Sequence, residues 1–230
     1  SIMQAIILCG GLSTRLGDIT KDIPKILLEI GNRTILDIQL ELLKEAEVDQ
    51  VILASGHLHQ VLYDQVGDSR SGVKIQYAKE EKRLGTGGAI KNAMRHISTE
   101  PFFALNGDIL IKDFSVSNML EKFAQKMEGM ILATPMEDVR DFGEIVSNSE
   151  GKITAFKEKQ EPKRSGYING GVYLFNQSIE NYFPSQDNFS VERDVFPLAE
   201  ALYAFQTEAE LIDVGVPHRL EYARQHFGNS

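Results

Sequence analysis

The first half of the chain alternates short apolar runs with segments of helical spacing. The apolar runs occupy residues 4–9, 50–54, 73–77 and 102–105. An apolar run bounded by turn residues is typical of a parallel strand that is covered on both faces. The first helical segment carries Leu36, Leu40 and Leu43 on one face, which predicts packing against a sheet. We therefore predict an α/β fold with a doubly wound, mostly parallel sheet and ligands at the carboxyl ends of its strands.

In the second half of the chain, the pattern of apolar runs and turn residues favours β-hairpins. Its strand-like runs occupy residues 129–134, 143–146, 152–156 and 170–175, and turn residues fill positions 148–151. Helices are expected over residues 195–203 and 217–226. Because no linker or low-complexity tract interrupts the chain, we expect one domain over residues 1–230. The change in pattern divides this domain into two halves, residues 3–128 and residues 129–230.

Composition narrows the classes of partner. The formal net charge of −9 argues against nucleic-acid binding, which needs clustered lysine and arginine. The single cysteine, Cys9, excludes an internal disulfide and fits a cytoplasmic location. No apolar run is long enough for a membrane helix, so no membrane partner is expected. The oligomeric state stays open, and a homo-oligomer is one alternative.

A glycine loop follows the first apolar run. Gly10 and Gly11 let the backbone turn its amides toward an anion, and Thr14 and Arg15 add a hydroxyl donor and a fixed positive charge. The spacing matches neither a P-loop nor the dinucleotide-binding G-x-G-x-x-G. The loop predicts a phosphate site, and an ordinary strand-to-helix turn is the alternative.

Two aspartates follow apolar runs and precede turns. Asp108 comes after Asn106 and Gly107 at the end of the fourth run, and Asp213 precedes Gly215 near the end of the chain. Carboxylate oxygens together with phosphate oxygens are the ligands that Mg²⁺ prefers. Both aspartates are candidate metal ligands, with a helix N-cap or a turn as the alternative.

A second glycine-rich segment follows the third apolar run and begins near Glu80. Its small residues predict a close approach of the backbone to the edge of a nucleobase, and the candidates are Gly85, Thr86 and Gly88. The carboxylate of Glu80 could accept hydrogen bonds from the edge of such a base, or it could be a solvated acid.

These motifs together resemble the sugar-1-phosphate nucleotidyltransferases. The resemblance rests on residues 10–16 with Pro24 and Lys25, on Asn106 to Asp108, and on the late Asp213 motif. It implies a Rossmann-like fold and Mg²⁺ as cofactor. It also implies catalytic roles for Arg15, Lys25, Asp108 and Asp213, with Asp108 and Asp213 holding the metal. The residues implied for the nucleotide are Leu8, Gly10, Gly11, Thr14, Glu80, Gly85, Thr86, Gly88, Asn106 and Gly107.

The second half carries the residues that this resemblance assigns to the sugar phosphate. They are Gly143, Glu158, Lys159, Asn169 and Gly170. On residue type alone, a Glu-Lys pair on a hairpin is a solvated face.

Within the family, residues 84–90 are similar to the D-glycero-D-manno-heptose 1-phosphate guanylyltransferases. The expected partners are therefore a nucleoside triphosphate, namely GTP, and a heptose 1-phosphate, and the product would serve cell-surface glycan synthesis. The chain departs from those enzymes at Lys82 and Arg83, where they carry Glu-Pro. Uridylyl or thymidylyl transfer to another sugar, and a regulatory module without turnover, are the alternatives.

Overall fold

The computed structural model describes residues 3–10 and 14–227 of the chain. Within them, no helix combines the length and the apolar character that crossing a bilayer requires. The strands are β1 Gln4–Leu8, β2 Glu29–Ile30, β3 Arg33–Thr34, β4 Gln50–Ser55, β5 Ser69–Arg70, β6 Val73–Lys79, β7 Phe102–Asn106, β8 Ile109–Lys112, β9 Gly129–Met136, β10 Glu144–Ser147, β11 Ile153–Lys157, β12 Gly166–Phe175, β13 Leu202–Gln206 and β14 Glu210–Asp213. The α-helices are α1 Ile35–Lys44, α2 His59–Val66, α3 Gly85–Met94, α4 Ser117–Lys122 and α5 Pro217–Phe227.

A ten-stranded mixed sheet forms the centre of the molecule. Its strands run in the order β11, β10, β12, β7, β1, β4, β6 and β5, while β9 pairs with β12 and β13. The four strands β7, β1, β4 and β6 are parallel, whereas β12 joins β7 in the antiparallel sense. The predicted doubly wound, mostly parallel sheet is confirmed. Because β4 and β7 lie on opposite sides of β1, the strand order reverses between β1 and β7, where such sheets bind ligands.

Successive apolar side chains of each strand point to opposite faces of this sheet. On one face Ile7 and Leu53 pack in the same cluster as Leu40 of α1, and on the other Ile6 packs with Ile90 of α3. Alternation arises because successive strand residues point to opposite faces. Helix α1 begins at a capping box, in which Thr34 and Asp37 exchange hydrogen bonds between side chain and backbone.

The hairpin-rich second half is as expected in its strands but not in one helix. Strands β9 to β12 cover the predicted runs, and α5 covers the predicted final helix. The helix expected over residues 195–203 is wrong, since the chain forms a short π-helical turn over Val191–Val195 and then β13. Pro197 has no N–H for a continuing helix, and β13 pairs in parallel with β9.

The turn after β7 is pressed against the end of β1. The Gly107 N–H donates to the carbonyl oxygen of Leu8 at 2.8 Å. A Cβ atom at Gly107 would lie 2.5 Å from the same oxygen, which is closer than such atoms can approach. Glycine is therefore required for β1 and the turn to meet.

We expect Gly107→Ala to lower the free energy of unfolding by about 1–3 kcal/mol, because the added methyl group must push two backbone segments apart. Gly143→Ala is the matched control, since its nearest neighbour, the Lys157 oxygen, would lie at 3.7 Å. The control should change stability by no more than about 0.5 kcal/mol. Urea unfolding of both variants tests this, and equal losses would contradict it.

Candidate active site

A cavity of about 530 Å³ opens at the carboxyl ends of β1, β4 and β7. It lies where the strand order reverses, as the sequence predicts for a ligand site. Its lining includes ten of the predicted site residues: Leu8, Gly10, Arg15, Lys25, Glu80, Gly85, Thr86, Asn106, Gly107 and Asp108. Of the predicted loop, Gly11 lies outside the described residues, and Thr14 is described by its backbone alone.

Two ion pairs stand at the rim of this cavity. Lys25 Nζ lies 3.6 Å from Asp108 Oδ2, and Arg15 Nη2 lies 3.8 Å from Asp213 Oδ2. Both distances exceed that of a hydrogen bond between charged groups, which is about 2.7–2.9 Å. A Cβ atom at Gly215 would lie 2.7 Å from Arg15 Nη2, so the guanidinium lies directly over this glycine. The two cations are thus placed beside the carboxylates without being tightly bound to them.

A short antiparallel ladder brings the two aspartates together. Strands β8 and β14 pair with Asp213 opposite Ile109, the residue after Asp108. The Val214 N–H also donates to the Asp108 carbonyl oxygen at 2.8 Å. The resemblance assigns both aspartates to one metal, and this pairing brings their backbones side by side.

Burial raises the pKa of the Asp108 carboxyl, and the negative charge of Asp213 raises it further, while Lys25 opposes both. Two adjacent carboxylates repel each other, and a hard divalent cation between them would relieve that repulsion. Within residues 3–10 and 14–227, no cluster of three or more acidic, histidine or cysteine side chains could hold a metal. The donor set therefore fits an ion that takes its other ligands from phosphate and water.

Glu80 lies beside the first glycine loop. A Cβ atom at Gly10 would lie 2.9 Å from Glu80 Oε1, and one at Gly56 would lie 2.8 Å from it. Burial raises the pKa of Glu80, whereas a hydrogen bond with the Leu84 backbone and the charge of Arg83 oppose that rise. The carboxylate thus faces the cavity next to the backbone of both glycines.

The glycine-rich segment has a second role that the sequence did not reveal. Gly85 has a φ of 71°, and a Cβ atom there would lie 2.5 Å from the Phe189 oxygen. A Cβ atom at Gly88 would lie 2.2 Å from the Asp187 oxygen, and Gly88 is absent from the cavity lining. These glycines let the start of α3 pack on residues 187–189, so their Cβ positions face protein.

Thr86 belongs to a polar network behind the cavity. Its hydroxyl donates to Glu192 Oε2 at 2.8 Å and accepts from the Val191 N–H at 3.0 Å. Tyr173, which is fully buried, donates to the other oxygen of Glu192 and accepts from Asn169. The network links the predicted base side of the cavity to the predicted sugar side.

The predicted sugar residues lie outside the cavity lining. Strand β10 pairs with β11 through Glu144 and Lys157, and with β12 through Glu144 and Ile168. This register brings Gly143, Glu158 and Asn169 to one end of the three-stranded ladder. Glu158 and Lys159 are exposed.

Gly170 and Asn169 belong to the irregular part of β12. A Cβ atom at Gly170 would lie 3.0 Å from the Leu132 oxygen, so this glycine faces β9. Asn106 Nδ2 lies over Gly171, where a Cβ atom would be 2.7 Å away, and Asn169 Oδ1 accepts from the Gly171 N–H. The Asn169 turn therefore borders the end of β7.

Sequence reasoning missed three residues that support the site. They are Gln39, which lies behind the Asp108 turn, Tyr173 and Glu192. Gln39 had a detectable signal, since it is a polar residue on the apolar face of a predicted helix. The Tyr173 to Glu192 contact joins distant segments, and no spacing in the sequence indicates it.

Cys9 lines the cavity without the properties of a nucleophile. Burial raises the pKa of its thiol to about 12, and the sulfur contacts the Ala54 carbonyl oxygen at 3.3 Å. A thiol with so high a pKa stays protonated at neutral pH.

A doubly wound sheet with two cations and two carboxylates beside a cavity at its switch point is typical of α/β proteins that bind phosphorylated ligands. The chain belongs to the nucleotidyl transferase family, whose profile matches residues 4–225. This confirms the predicted family. Its members generally use a divalent metal.

Relatives of known function match the chain over nearly its whole length. The D-glycero-alpha-D-manno-heptose 1-phosphate guanylyltransferase of Aneurinibacillus thermoaerophilus is 34% identical, with 98% of this chain and 100% of that relative covered. The enzyme of the same name from Campylobacter jejuni is 36% identical, with 94% and 96% covered. Among solved structures, HddC from Yersinia pseudotuberculosis complexed with GMP-PN is 30% identical with a TM-score of 0.83, and 98% of this chain and 100% of that one are covered.

We expect Asp108→Asn to raise the melting temperature of the metal-free protein. A carboxyl with a raised pKa stabilises the fold most when protonated, and this stability is lost as pH rises through the folded-state pKa. The difference between variant and wild type should therefore grow as pH rises above the usual aspartate value of about 3.9. Thermal melts with chelator across pH test this, and a lower melting temperature of the variant at neutral pH would contradict it.

Proposed function

We propose that the protein transfers GMP from GTP to D-glycero-α-D-manno-heptose 1-phosphate and releases pyrophosphate. The observation that carries this proposal is that Arg15, Lys25 and Asp108 line one cavity, while Asp213 pairs with Arg15 beside it. The names of the two full-length relatives support GTP and the heptose as the substrate pair.

In the proposed reaction, an oxygen of the sugar phosphate attacks the α-phosphorus of GTP. The new bond joins that oxygen to the α-phosphorus, and the bond to the β-phosphate oxygen breaks, so that pyrophosphate leaves with the electron pair. A phosphate monoester is largely dianionic at neutral pH, since its second pKa is about 6, and needs no general base. The work of the protein is to bring together two anions that repel each other.

Arg15 and Lys25 are proposed to bind the triphosphate. Each cation lies more than 3.5 Å from its carboxylate, so phosphate oxygens can replace that contact. Transition-state charge on the phosphates then finds cations already in place. The backbone amides of Gly10 and Gly11 and the hydroxyl of Thr14 are proposed to complete this phosphate site.

Asp108 and Asp213 would hold the metal, for which we propose Mg²⁺. When bound, the ion supplies positive charge that offsets the repulsion between the two substrates. Asp108 would contribute its carboxylate from the turn between β7 and β8, and Asp213 would contribute its own from the end of β14.

The base is assigned to the cavity, and the sugar phosphate to the end of the β10, β11 and β12 ladder, outside the cavity lining. Glu80 is proposed to accept hydrogen bonds from the N1 and the exocyclic amine of guanine, with Leu8, Gly85 and Thr86 forming the rest of the base side and Asn106 and Gly107 its floor. The sugar phosphate is assigned to Gly143, Glu158, Lys159, Asn169 and Gly170. This division corresponds to the two halves of the domain, residues 3–128 and 129–230. The product would be formed in the cytoplasm and would be a substrate for cell-surface glycan synthesis.

A matrix of substrate pairs tests the proposal. Pyrophosphate release is measured with Mg²⁺ for GTP, ATP, UTP and dTTP, each crossed with the 1-phosphates of the heptose, mannose, glucose and N-acetylglucosamine. We expect release that needs GTP and the heptose phosphate together, with GDP-heptose as the product by mass. Another productive pair would overturn the substrate assignment, and nucleotide binding without any turnover would favour a regulatory module.

We expect Glu80→Gln to lower kcat/KM for GTP by about 10- to 100-fold, because a carboxamide cannot accept both guanine hydrogen bonds. The carboxamide can donate to and accept from uracil, so the ratio of UTP to GTP turnover should rise. Glu81→Gln is the matched control, since Glu81 is the exposed neighbouring carboxylate. Equal kcat/KM for GTP in both variants would show that Glu80 does not read the base.

A further inference from the structure

A buried glutamine on α1 contacts the turn that carries Asp108. Gln39 is 1% exposed and lies on the helix face that packs against the sheet. Its Nε2 lies 3.0 Å from the carbonyl oxygen of Asn106 and 2.9 Å from that of Ile109. Since both neighbours are acceptors, the amide orientation is defined, and the nitrogen faces the turn.

The two carbonyl groups stand on either side of Gly107 and Asp108. The backbone of this turn has two further anchors, the Gly107 N–H on Leu8 and the Val214 N–H on the Asp108 carbonyl. Those anchors come from β1 and from the residue after β14. Gln39 holds the turn from the helix side, so three different elements determine where the Asp108 carboxylate leaves the sheet.

The other end of the same amide has no partner within residues 3–10 and 14–227. Gln39 Oε1 is buried there and accepts no hydrogen bond. A buried acceptor without a donor destabilises the folded state, and an apolar side chain of the same length would avoid that cost. The benefit of a glutamine at this position therefore lies in its two donated hydrogen bonds.

We infer that Gln39 is a positioning residue for the metal site. It fixes the carbonyls of Asn106 and Ile109 and thereby orients the carboxylate of Asp108, without itself touching substrate. The inference rests on the proposed function in one respect, namely that Asp108 is a metal ligand. Groups that orient a metal ligand in this way are known to affect metal affinity strongly.

The test replaces Gln39 with methionine, which has similar length and no donor. Mn²⁺ serves as the probe, and the electron paramagnetic resonance signal of the free ion reports its binding. We expect Gln39→Met to weaken Mn²⁺ binding by roughly 10- to 100-fold and to raise the half-saturating Mg²⁺ concentration of the reaction by a similar factor. Its melting temperature should fall less than that of Gln4→Met, because removal of Oε1, which is unpaired among the described residues, offsets part of the cost of leaving two carbonyls without a donor. Its KM for GTP at saturating metal should stay near that of the wild type.

Gln4→Met is the matched control. Gln4 is also buried, at 2% exposure, but it lies at the amino end of β1, and both ends of its amide are hydrogen-bonded to residues such as His96 and Ser98. This variant should lose thermal stability and keep its Mn²⁺ affinity. Equal losses of Mn²⁺ affinity in the two variants would show that Gln39 acts only through general packing, and would overturn the inference.

A second variant and the wild type separate the remaining outcomes. Gln39→Leu also lacks donors and must weaken Mn²⁺ binding as the methionine variant does, and wild-type affinity in either folded variant overturns the inference. If the wild type forms product and Gln39→Met forms it at the same rate at every Mg²⁺ concentration, the inference fails and the proposed function stands. If Mn²⁺ binding changes as expected while no substrate pair reacts, the inference stands and the proposed function fails.

Discussion

The site depends on the short pairing of β8 with β14, which forces two like charges to lie side by side. Asp213 stands opposite Ile109, and the Val214 N–H holds the carbonyl oxygen of Asp108. No local sequence preference brings these aspartates together, since Asp108 lies near the middle of the chain and Asp213 near its end. Once they are adjacent, burial and repulsion raise the pKa of Asp108, and the site favours positive charge.

The remaining features can be understood as responses to that constraint. Lys25 and Arg15 each approach one carboxylate, but at distances that leave both cations open to phosphate. The backbone of Gly107 meets β1 so closely that no side chain fits between them. In the account proposed here, the metal, the two cations and the triphosphate neutralise one another at a single place. The empty site is then less stable than the loaded one, which is a common cost of function.

Sequence reasoning located the parallel strands and the family because both depend on local patterns. Apolar runs reveal buried strands, and Asp108 and Asp213 each follow such a run. It failed at residues 195–203, because apolar spacing alone does not distinguish a helix from a turn followed by β13. Pro197 favours the turn, since it has no N–H for a continuing helix. It also interpreted glycines such as Gly88 as open to a ligand, although the Asp187 backbone occupies that space. Contacts such as Gln39 with Ile109 depend on the assembled fold, so their partners could not be found from spacing.

The most direct test of the central claim is a crystal structure of the protein with Mn²⁺ and a non-hydrolysable GTP analogue, in which the anomalous signal locates the metal. The account predicts an Mn²⁺ peak between the carboxylates of Asp108 and Asp213, with Arg15 and Lys25 turned onto the triphosphate. A metal bound elsewhere, or a triphosphate held away from both cations, would contradict it.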